Sequence, residues 1–302
     1  MRVVCLGSGS SGNALVVRAG RTTVLVDAGF GPRDLASRLR QAGFTPRQIA
    51  AVVLTHEHAD HARGAAAFAA QHQIPLGGDP RTLDAVRDQA SARNTTWAPT
   101  SVSTSAPAST PTPRFERIEF AVGTAARIGD LEVRSFAISH DAVAPCGYVL
   151  SSGAWHVCVA TDTGEAGAAV VEAMRGAHLL VLEANHDTDR LIKGPYPWPL
   201  KKRILSPTGH LSNEQAARAL LSALDDGPRW IWLAHLSRTN NTPDLARSGV
   251  AGFLRREGLR HVPLQVAPPG IGPAWDSANL LGAPHQAELP MPVAAAVPSD
   301  SE

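Results

Sequence analysis

The feature that most constrains this chain is a cluster of polar residues placed directly after a short apolar run. Residues 49–54 are apolar, and His56, His58, Asp60 and His61 follow within the next seven positions. Such an apolar run predicts a short buried strand, and the loop at its end is held by a rigid scaffold. Imidazole and carboxylate groups are the ligands that zinc and related divalent cations prefer. The cluster therefore predicts a metal site at the end of a strand.

Four further polar residues each close an apolar run elsewhere in the chain. They are Asp27 after residues 23–26, His140 after 136–139, Asp162 after 157–161 and His235 after 230–234. With the His-x-His-x-Asp-His cluster, their order resembles the five motifs of the metallo-β-lactamase superfamily over about residues 1–270. The resemblance implies an α/β fold, the four-layer αββα metallo-β-lactamase sandwich. The apolar patterns alone predict only a mixture of strands and helices.

Shorter segments narrow the resemblance to one branch of that superfamily. Residues 7–13, 183–187, 208–213 and 235–241 are similar to the YycJ-type (WalJ) branch. That branch is nuclease-like and related to the phosphodiesterase members rather than to those that degrade antibiotics. The resemblance implies a metal-dependent phosphodiesterase or nuclease, and a 5′ to 3′ exonuclease on single-stranded DNA is the leading hypothesis. The polarity rests on the resemblance alone.

The same resemblance assigns the polar residues to two divalent metal ions. His56, His58 and His140 would hold the first ion, Asp60, His61 and His235 would hold the second, and Asp162 would bridge both. Two such ions, about 3.5–4 Å apart, can hold a hydroxide at neutral pH and stabilise both oxygens of a phosphoryl displacement. Asp60 would also orient that hydroxide. Because the ligands are imidazoles and carboxylates without cysteine, zinc, manganese and iron all fit.

Two more residues are expected to assist the metal ions. Asp27 is predicted to hydrogen-bond a ligand imidazole rather than to bind metal, although an aspartate of a turn is the alternative. His210 is predicted to contact phosphate or to protonate the leaving oxygen. The alternative for His210 is packing beside the start of a helix, because Ser212 and Gln215 have the spacing of a capping box.

The loops around these motifs supply the predicted substrate contacts. The pattern Gly-x-Gly-x-x-Gly at residues 7–12 matches a dinucleotide-binding fingerprint, but residues 14–17 predict a strand where that fingerprint needs a helix. The glycines favour a tight turn whose backbone amides could approach a phosphate. For His186 and the two asparagines, a structural role is an equal alternative. The predicted substrate-binding residues are Ser10, Asn13, His186, Ser237, Arg238, Asn240 and Asn241.

A basic segment interleaved with aromatic residues precedes His210. It contains Lys193, Tyr196, Trp198, Lys201, Lys202 and Arg203. Basic groups that follow a backbone and rings that stack on bases suit single-stranded nucleic acid. A proline-rich surface loop with solvated lysines is the alternative. The formal net charge is only +1, so binding of nucleic acid would need a local patch of this kind.

The length of 302 residues allows one large domain. We expect this domain over residues 1–280, with an insertion rich in Ser, Thr, Pro and Ala at about 91–114 and a disordered tail at 281–302. No apolar stretch approaches the roughly 20 residues of a membrane span, and no signal peptide is visible. The sequence therefore predicts a cytoplasmic protein without a membrane partner.

Two other functions are compatible with these residues. A small-molecule hydrolase acting on a cyclic phosphodiester, thioester, lactone or lactam would have the same His-x-His-x-Asp-His cluster. A non-enzymatic module that is stabilised by metal and binds nucleic acid or a protein is the third hypothesis. The complete set of predicted metal ligands argues against this third one.

Overall fold

The computed structural model describes residues 1–95, 114–224, 229–259 and 262–279. Within these ranges the chain forms two seven-stranded sheets with helices on their outer sides. The predicted tail at 281–302 and residues 96–113 of the predicted insertion lie outside the described residues. No helix of the described part is long and apolar enough to traverse a lipid bilayer.

The first sheet is built mostly from the N-terminal part of the chain. Its strands from β3 to β6 run parallel to one another, and the others pair antiparallel. In spatial order the strands are β14 (Ala274–Asp276), β1 (Arg2–Gly7), β2 (Ala14–Ala19), β3 (Thr22–Val26), β4 (Ile49–Val53), β5 (Leu76–Gly78) and β6 (Arg117–Glu119).

The second sheet takes up the rest of the chain. The strands from β10 to β13 are parallel, and those from β7 to β10 pair antiparallel. In spatial order the strands are β13 (Leu264–Val266), β12 (Trp230–Ala234), β11 (Leu179–Glu183), β10 (Trp155–Ala160), β9 (Cys146–Ser152), β8 (Leu131–Ala137) and β7 (Ala125–Ile128).

The helices of the described residues lie mainly on the two outer faces of the sheets. Short 3₁₀ turns at Pro46–Gln48 and Ser277–Asn279 complete the regular structure. The helices are α1 (Pro32–Gln41), α2 (Ala59–Ala62), α3 (Ala65–His72), α4 (Pro80–Thr95), α5 (Ala168–Met174), α6 (Thr188–Lys193), α7 (Trp198–Ile204), α8 (Asn213–Ala223) and α9 (Pro243–Arg256).

Alternate side chains of the strands enter different apolar layers. In β1, Val3 and Cys5 belong to the cluster between the sheets, whereas Val4 and Leu6 belong to the cluster under α1, α3 and α4. A third cluster joins the outer face of the second sheet to α5, α8 and α9. Because both faces of each sheet are covered, central strands such as β3 and β11 are buried along their whole length. These layers confirm the predicted αββα sandwich.

Helices α2 and α3 are separated at Gly64. The chain passes very close to another loop at this point. A Cβ atom on Gly64 would lie 1.9 Å from the carbonyl oxygen of Phe30. Only glycine permits so close an approach of two backbones, and periodicity alone does not reveal it.

Three helices occupy segments where the sequence pattern predicts none. Helix α4 extends to Thr95, so residues 91–95 of the predicted insertion are helical. The basic segment contains the end of α6 and nearly the whole of α7. The alternative interpretation of this segment was a proline-rich surface loop. Pro197 precedes α7 and Pro199 lies in its first turn, where a helix needs no backbone N–H from proline. These prolines therefore begin a helix here rather than prevent one.

Candidate metal centre and adjacent pocket

The predicted metal ligands converge at the carboxyl ends of the parallel strands. Asp27 follows β3, residues 56–61 follow β4, Asp162 follows β10 and His235 follows β12. Parallel strands end at a common edge of their sheet, and ligands of α/β folds bind there. Because the two sheets are stacked, loops from both reach one centre.

Three of these residues adopt the left-handed backbone conformation, which is uncommon outside glycine. The φ angle is 61° at Asp27, 57° at Asp162 and 53° at His235. Each such conformation costs about 1–3 kcal/mol and persists where the surrounding structure fixes it, often at functional sites. All three residues stand within two positions of a strand end. The strained turns thus coincide with the residues predicted to hold or orient metal.

His56, His58 and His140 form the first cluster of potential ligands. Their ligand atoms lie within 4.8 Å of one another, and His140 Nε2 is 3.2 Å from His58 Nδ1. His56 is completely buried, and its Nε2 has no hydrogen-bond partner among the described residues. The structure thus brings together the three residues predicted to hold the first metal ion.

Asp60, His61, Asp162 and His235 form the second cluster, again within 4.8 Å. His61 Nε2 is 2.9 Å from Asp162 Oδ2, and His235 Nε2 is 3.3 Å from Asp60 Oδ2. Asp162 Oδ1 also lies 4.0 Å from His140 Nε2 of the first cluster. The Asp162 carboxylate therefore stands between the two clusters, where the resemblance puts a bridging ligand.

Contacts at Nδ1 orient four of the ligand imidazoles. In each case an oxygen of another residue lies beside Nδ1, which leaves Nε2 as the nitrogen available to a metal ion. The contacts are Thr55 Oγ1 with His56 at 3.0 Å, Asp27 Oδ2 with His61 at 2.7 Å, Gly209 O with His140 at 3.3 Å and Glu183 Oε1 with His235 at 3.0 Å.

Asp27 has the geometry of a residue that orients a ligand. Its Oδ2 contacts the ring of His61, and its Oδ1 accepts a hydrogen bond from the backbone N–H of Thr55 at 2.9 Å. Asp27 belongs to neither cluster of potential ligands. Thr55 has no predicted role, but its hydroxyl lies 3.0 Å from His56 Nδ1 and 3.3 Å from His61 Nδ1 and so links the first and second clusters.

Buried carboxylates and imidazoles shift each other's pKa values in this centre. Burial acts to lower the pKa of His61 and His235, but the nearby carboxylates, Asp162 foremost, together outweigh it, so the pKa of His61 is well above its usual value and that of His235 is about 10. Burial acts to raise the pKa of Asp162, yet His235 and His61 hold it well below its usual range. Burial lowers the pKa of His56 strongly, and the neighbouring His61 adds to this effect.

Divalent cations fit this set of donors. His56 Nε2 is a buried nitrogen without a partner among the described residues, and Asp162 Oδ2 approaches His61 without the geometry of a hydrogen bond. Buried polar atoms of this kind cost free energy unless a partner satisfies them. A cation on each cluster would use these atoms, and imidazole with carboxylate is a donor set for zinc, manganese or iron.

Glu183 is a functional residue that the sequence analysis missed. It is completely buried at the end of β11, and its Oε1 lies 2.8 Å from His210 Nδ1 and 3.0 Å from His235 Nδ1. Its Oε2 accepts a hydrogen bond from the backbone N–H of Thr163 at 2.8 Å. Glu183 closes an apolar run as Asp27 and the other strand-end residues do, and this pattern could have identified it.

The Glu183 carboxylate favours the protonated form of His210. Burial acts to lower the pKa of the His210 imidazole, but Glu183 outweighs it and raises that pKa above the usual value. His210 is also close to the second cluster, since its Nδ1 is 3.8 Å from Asp162 Oδ1. His210 thus stands at the edge of the metal centre with its Nδ1 held, which leaves Nε2 for a proton transfer.

A cavity of about 160 Å³ lies beside the metal centre, and His210 is part of its wall. Helix α7 forms one side, and loops that follow the ligand strands form the other. Among the predicted substrate contacts, Ser10 and Ser237 line it, as do Tyr196 and Arg203 of the basic segment. Its lining residues are Ser10, Asp141, Asn185, Tyr196, Leu200, Arg203, Ile204, Gly209, His210 and Ser237.

Five predicted substrate contacts are not part of this wall. His186, Asn240 and Asn241 are buried, and Asn241 donates a hydrogen bond to the carbonyl oxygen of Ala184. Arg238 is exposed, but its Nη2 donates to Ser11 Oγ and ties two loops together. The loop-stabilising alternative therefore describes Asn241 better. The side-chain polar atoms of His186 and Asn240 have no hydrogen-bond partner among the described residues, and substrate contacts of His186, Asn240 and Arg238 stay predictions. Asn13 is also buried, with its Nδ2 2.9 Å from the ligand His61.

The lysines of the basic segment do not line the cavity either. Lys201 is buried, and its Nζ donates to the carbonyl oxygens of Ile192 and Gly194. Lys193 forms an exposed ion pair with Asp189. The prediction that these lysines follow a nucleic-acid backbone is therefore corrected for Lys201, which joins α6 to α7 instead. For the exposed Lys193 and Lys202 it stays a prediction.

Comparison with known proteins identifies the family. Residues 22–235, which contain both ligand clusters, match the family described as "Beta-lactamase superfamily domain". The chain is 34% identical over 271 residues to exodeoxyribonuclease YycJ of Bacillus anthracis, covering 90% of this chain and 92% of that protein. The chain belongs to the metallo-β-lactamase superfamily.

Further relatives place this member of the superfamily in the YycJ-like branch. Exodeoxyribonuclease WalJ of Streptococcus pneumoniae serotype 2 (strain D39) is 32% identical over 254 residues, covering 84% of this chain and 88% of that protein. The solved metallo-β-lactamase fold protein YhfI from Bacillus subtilis has a TM-score of 0.65 at 20% identity, over 91% of this chain and 99% of that one. The predicted branch and fold are confirmed, and the chain is a metallo-hydrolase.

Proposed function

We propose that this metallo-hydrolase is an exodeoxyribonuclease that removes nucleotides from the 5′ end of single-stranded DNA. His210 carries the proposal, because it lies both beside the second ligand cluster and in the wall of the adjacent cavity. A group in that position can give a proton to an oxygen that leaves a phosphate held at the metal centre. The chain is similar to two exodeoxyribonucleases over most of their length, and this similarity supports DNA as the substrate.

The two ligand clusters would hold two divalent cations, zinc or manganese. When bound, such a pair supplies a water molecule that is deprotonated near neutral pH and stabilises the charge of the attacked phosphate. The residues of the first and second clusters would fix the positions of these cations. Asp60, the more exposed carboxylate of the second cluster, would accept a hydrogen bond from the attacking water.

His210 and Glu183 would act on the leaving oxygen. The raised pKa of His210 keeps more of its imidazole protonated at neutral pH than a free histidine would be. Because Glu183 holds Nδ1 at 2.8 Å, the proton available for transfer is the one on Nε2. The O3′ atom of the departing nucleotide receives that proton as its bond to phosphorus breaks.

The cavity favours a single strand over a duplex. The terminal nucleotide would enter a recess of about 160 Å³ that has His210 in its wall. The terminal nucleotide must therefore leave its neighbours before it enters, which costs least for a single strand.

The decisive test is a digestion of single-stranded DNA that is labelled at one end. With manganese or zinc, a 5′-labelled oligonucleotide should release its label as a mononucleotide at once, whereas a 3′-labelled one should give a ladder of shortening products. The ligand variant His58→Ala should be inactive. His156→Asn is the matched control, because His156 lies at the opposite end of β10 from Asp162. Digestion from the 3′ end, or none with metal bound, would contradict the proposal.

A hydrolase for small molecules is the second candidate, and the small volume of the cavity is the observation that favours it. Such an enzyme would cleave a cyclic phosphodiester, a thioester or a lactone, and it would leave oligonucleotides intact. Assays with bis-(p-nitrophenyl) phosphate and a thioester beside the labelled oligonucleotide separate the two candidates. We rank the nuclease first because the similar proteins YycJ and WalJ are named exodeoxyribonucleases.

A further inference from the structure

Arg203 lines the cavity beside His210, and only one of its guanidinium nitrogens, Nε, has a hydrogen-bond partner among the described residues. Its Nε donates to Asp141 Oδ2 at 2.7 Å, and no described residue accepts a hydrogen bond from Nη1 or Nη2. Asp141 follows the ligand His140, whose Nε2 is 3.4 Å from Asp141 Oδ1. The ion pair therefore fixes the guanidinium relative to the metal centre. The two terminal amino groups of such an arginine are suited to two oxygens of one phosphate group.

The same wall of the cavity has an apolar part. Tyr196 lies just before α7 and is half-buried, and Leu200 and Ile204 lie one turn and two turns into the helix. A phenol ring beside aliphatic side chains forms a surface on which a planar base can pack. The cavity therefore combines a site for an anion with a site for an aromatic ring, and His210 lies in the same wall.

We propose that this cavity binds the departing 5′-terminal nucleotide, that Arg203 binds its 5′-phosphate, and that Tyr196 packs against its base. The inference rests on the proposed exonuclease function and names the chemical group that selects the substrate. The enzyme would therefore prefer DNA ends that carry a 5′-phosphate over ends that carry a 5′-hydroxyl.

The reaction itself maintains this preference. Water adds its oxygen to the phosphorus between the first and second nucleotides, and the bond from that phosphorus to O3′ breaks. O3′ takes up one proton, so the first nucleotide leaves with a 3′-hydroxyl and its own 5′-phosphate. The shortened strand keeps the attacked phosphorus as a new 5′-phosphate. Each turnover thus regenerates the end group that Arg203 binds.

Other cations near the metal centre are less suited to this role. Lys201 is committed to two carbonyl oxygens, and Arg190 Nε donates to the carbonyl oxygen of Thr239. Lys202 is exposed on α7 and does not line the cavity. Lys202 therefore provides a matched control, since it carries the same charge on the same helix one position away.

The test compares oligonucleotides that differ only in their 5′ end. The native chain should digest the 5′-phosphorylated strand about 10- to 100-fold faster than the 5′-hydroxyl strand, measured as kcat/KM. The free energy of a hydrogen bond between charged groups corresponds to a ratio of about this size. Arg203→Gln should abolish this preference, so that the 5′-phosphorylated and 5′-hydroxyl strands are digested with about the same kcat/KM. Lys202→Gln should keep the preference. Asp141→Asn removes the ion pair that positions the guanidinium but keeps the guanidinium itself, so it should weaken the preference without abolishing it.

The base contact is tested with a strand whose terminal nucleotide lacks its base. Tyr196→Leu should raise KM about 5- to 100-fold on the normal strand and should have little effect on the abasic strand. Tyr196→Phe keeps the ring and should resemble the native chain. An equal loss on both strands would overturn the assignment of Tyr196 to the base.

A binding measurement separates this inference from the proposed function. Fluorescence anisotropy of the metal-free protein should show tighter binding of the 5′-phosphorylated strand, and Arg203→Gln should remove the difference. Digestion that proceeds without any preference for the 5′-phosphate would overturn the inference and leave the exonuclease proposal standing. Absence of any nuclease activity with metal bound would overturn both.

Discussion

Replacing Glu183 with glutamine tests how the centre moves a proton. The carboxylate is completely buried and contacts the Nδ1 atoms of His210 and His235 at 2.8 and 3.0 Å. Glutamine has nearly the same shape but carries no charge, and it must present either an oxygen or an NH₂ group to the two rings. The substitution therefore removes the charge that favours a protonated His210 while it preserves the packing.

The expected loss follows from these contacts. A hydrogen bond to a charged group contributes about 1.5–3 kcal/mol, which is a factor of about 10 to 100 in rate if the bond strengthens the transition state alone. Residues that orient a metal ligand have effects of about the same size on metal affinity or activity. We therefore expect Glu183→Gln to reduce kcat about 10- to 100-fold. Saturating metal should restore occupancy of the centre but not this part of the loss.

The dependence of kcat on pH gives the sharper readout. Protonated His210 is the form that donates, so activity declines as the pH rises through the pKa of His210. Glu183 raises that pKa, and without the carboxylate burial lowers it. The decline at high pH should therefore begin at a lower pH in Glu183→Gln, and the ratio of native to variant rates should be larger at pH 8 than at pH 6.

A control separates this effect from a general change in charge. Glu172 lies exposed on α5, where it pairs with Arg175, so Glu172→Gln should leave both kcat and its pH profile unchanged. The reasoning about Glu183 would be refuted if Glu183→Gln kept the native pH profile. It would also be refuted if the whole loss of rate disappeared at high metal concentration.

Three further predictions concern the metal ligands, the metal-free state and the core. Asp27→Asn should weaken metal binding about 10- to 100-fold in a competition with a chelator, because His61 loses its partner at 2.7 Å; unchanged affinity would contradict this role. In the metal-free protein, the raised pKa values of His61 and His235 contribute stability that is complete below about pH 6.5 and is lost as the pH rises towards about 10 at His235. The urea midpoint should therefore fall between pH 7 and pH 10, and a rise would refute the assignment. Leu180→Ala should lower the free energy of unfolding by about 2–5 kcal/mol in urea titrations, since Leu180 is 1% exposed beneath the outer helices, and a cost below about 1 kcal/mol would contradict the packing.

The ligand set was predictable because of where polar residues stand along the chain. Asp162 and His235 each end a run of buried residues, and a polar group in such a position must have a partner. The sequence pattern also reveals which strands are covered on both faces, as the fully buried β11 shows. Both signals are local, and they predict the correct layers once the family resemblance supplies the topology.

Contacts between distant segments were the part that local patterns could not reveal. Lys201 has the sequence context of a DNA-binding lysine, but the close approach of α6 and α7 buries it against carbonyl oxygens. Glu183 has the context of a strand residue, and only the fold brings His210 and His235 to it. The prolines around α7 predict a loop equally well, since proline is favourable both in loops and in the first turn of a helix.

Anomalous scattering from crystals of the metal-loaded protein tests the central claim most directly. The account predicts two peaks about 3.5–4 Å apart. One peak should be bounded by His56, His58 and His140, the other by Asp60, His61 and His235, with Asp162 between them. A single peak, or peaks that do not contact these residues, would contradict the assignment of two cations to this centre.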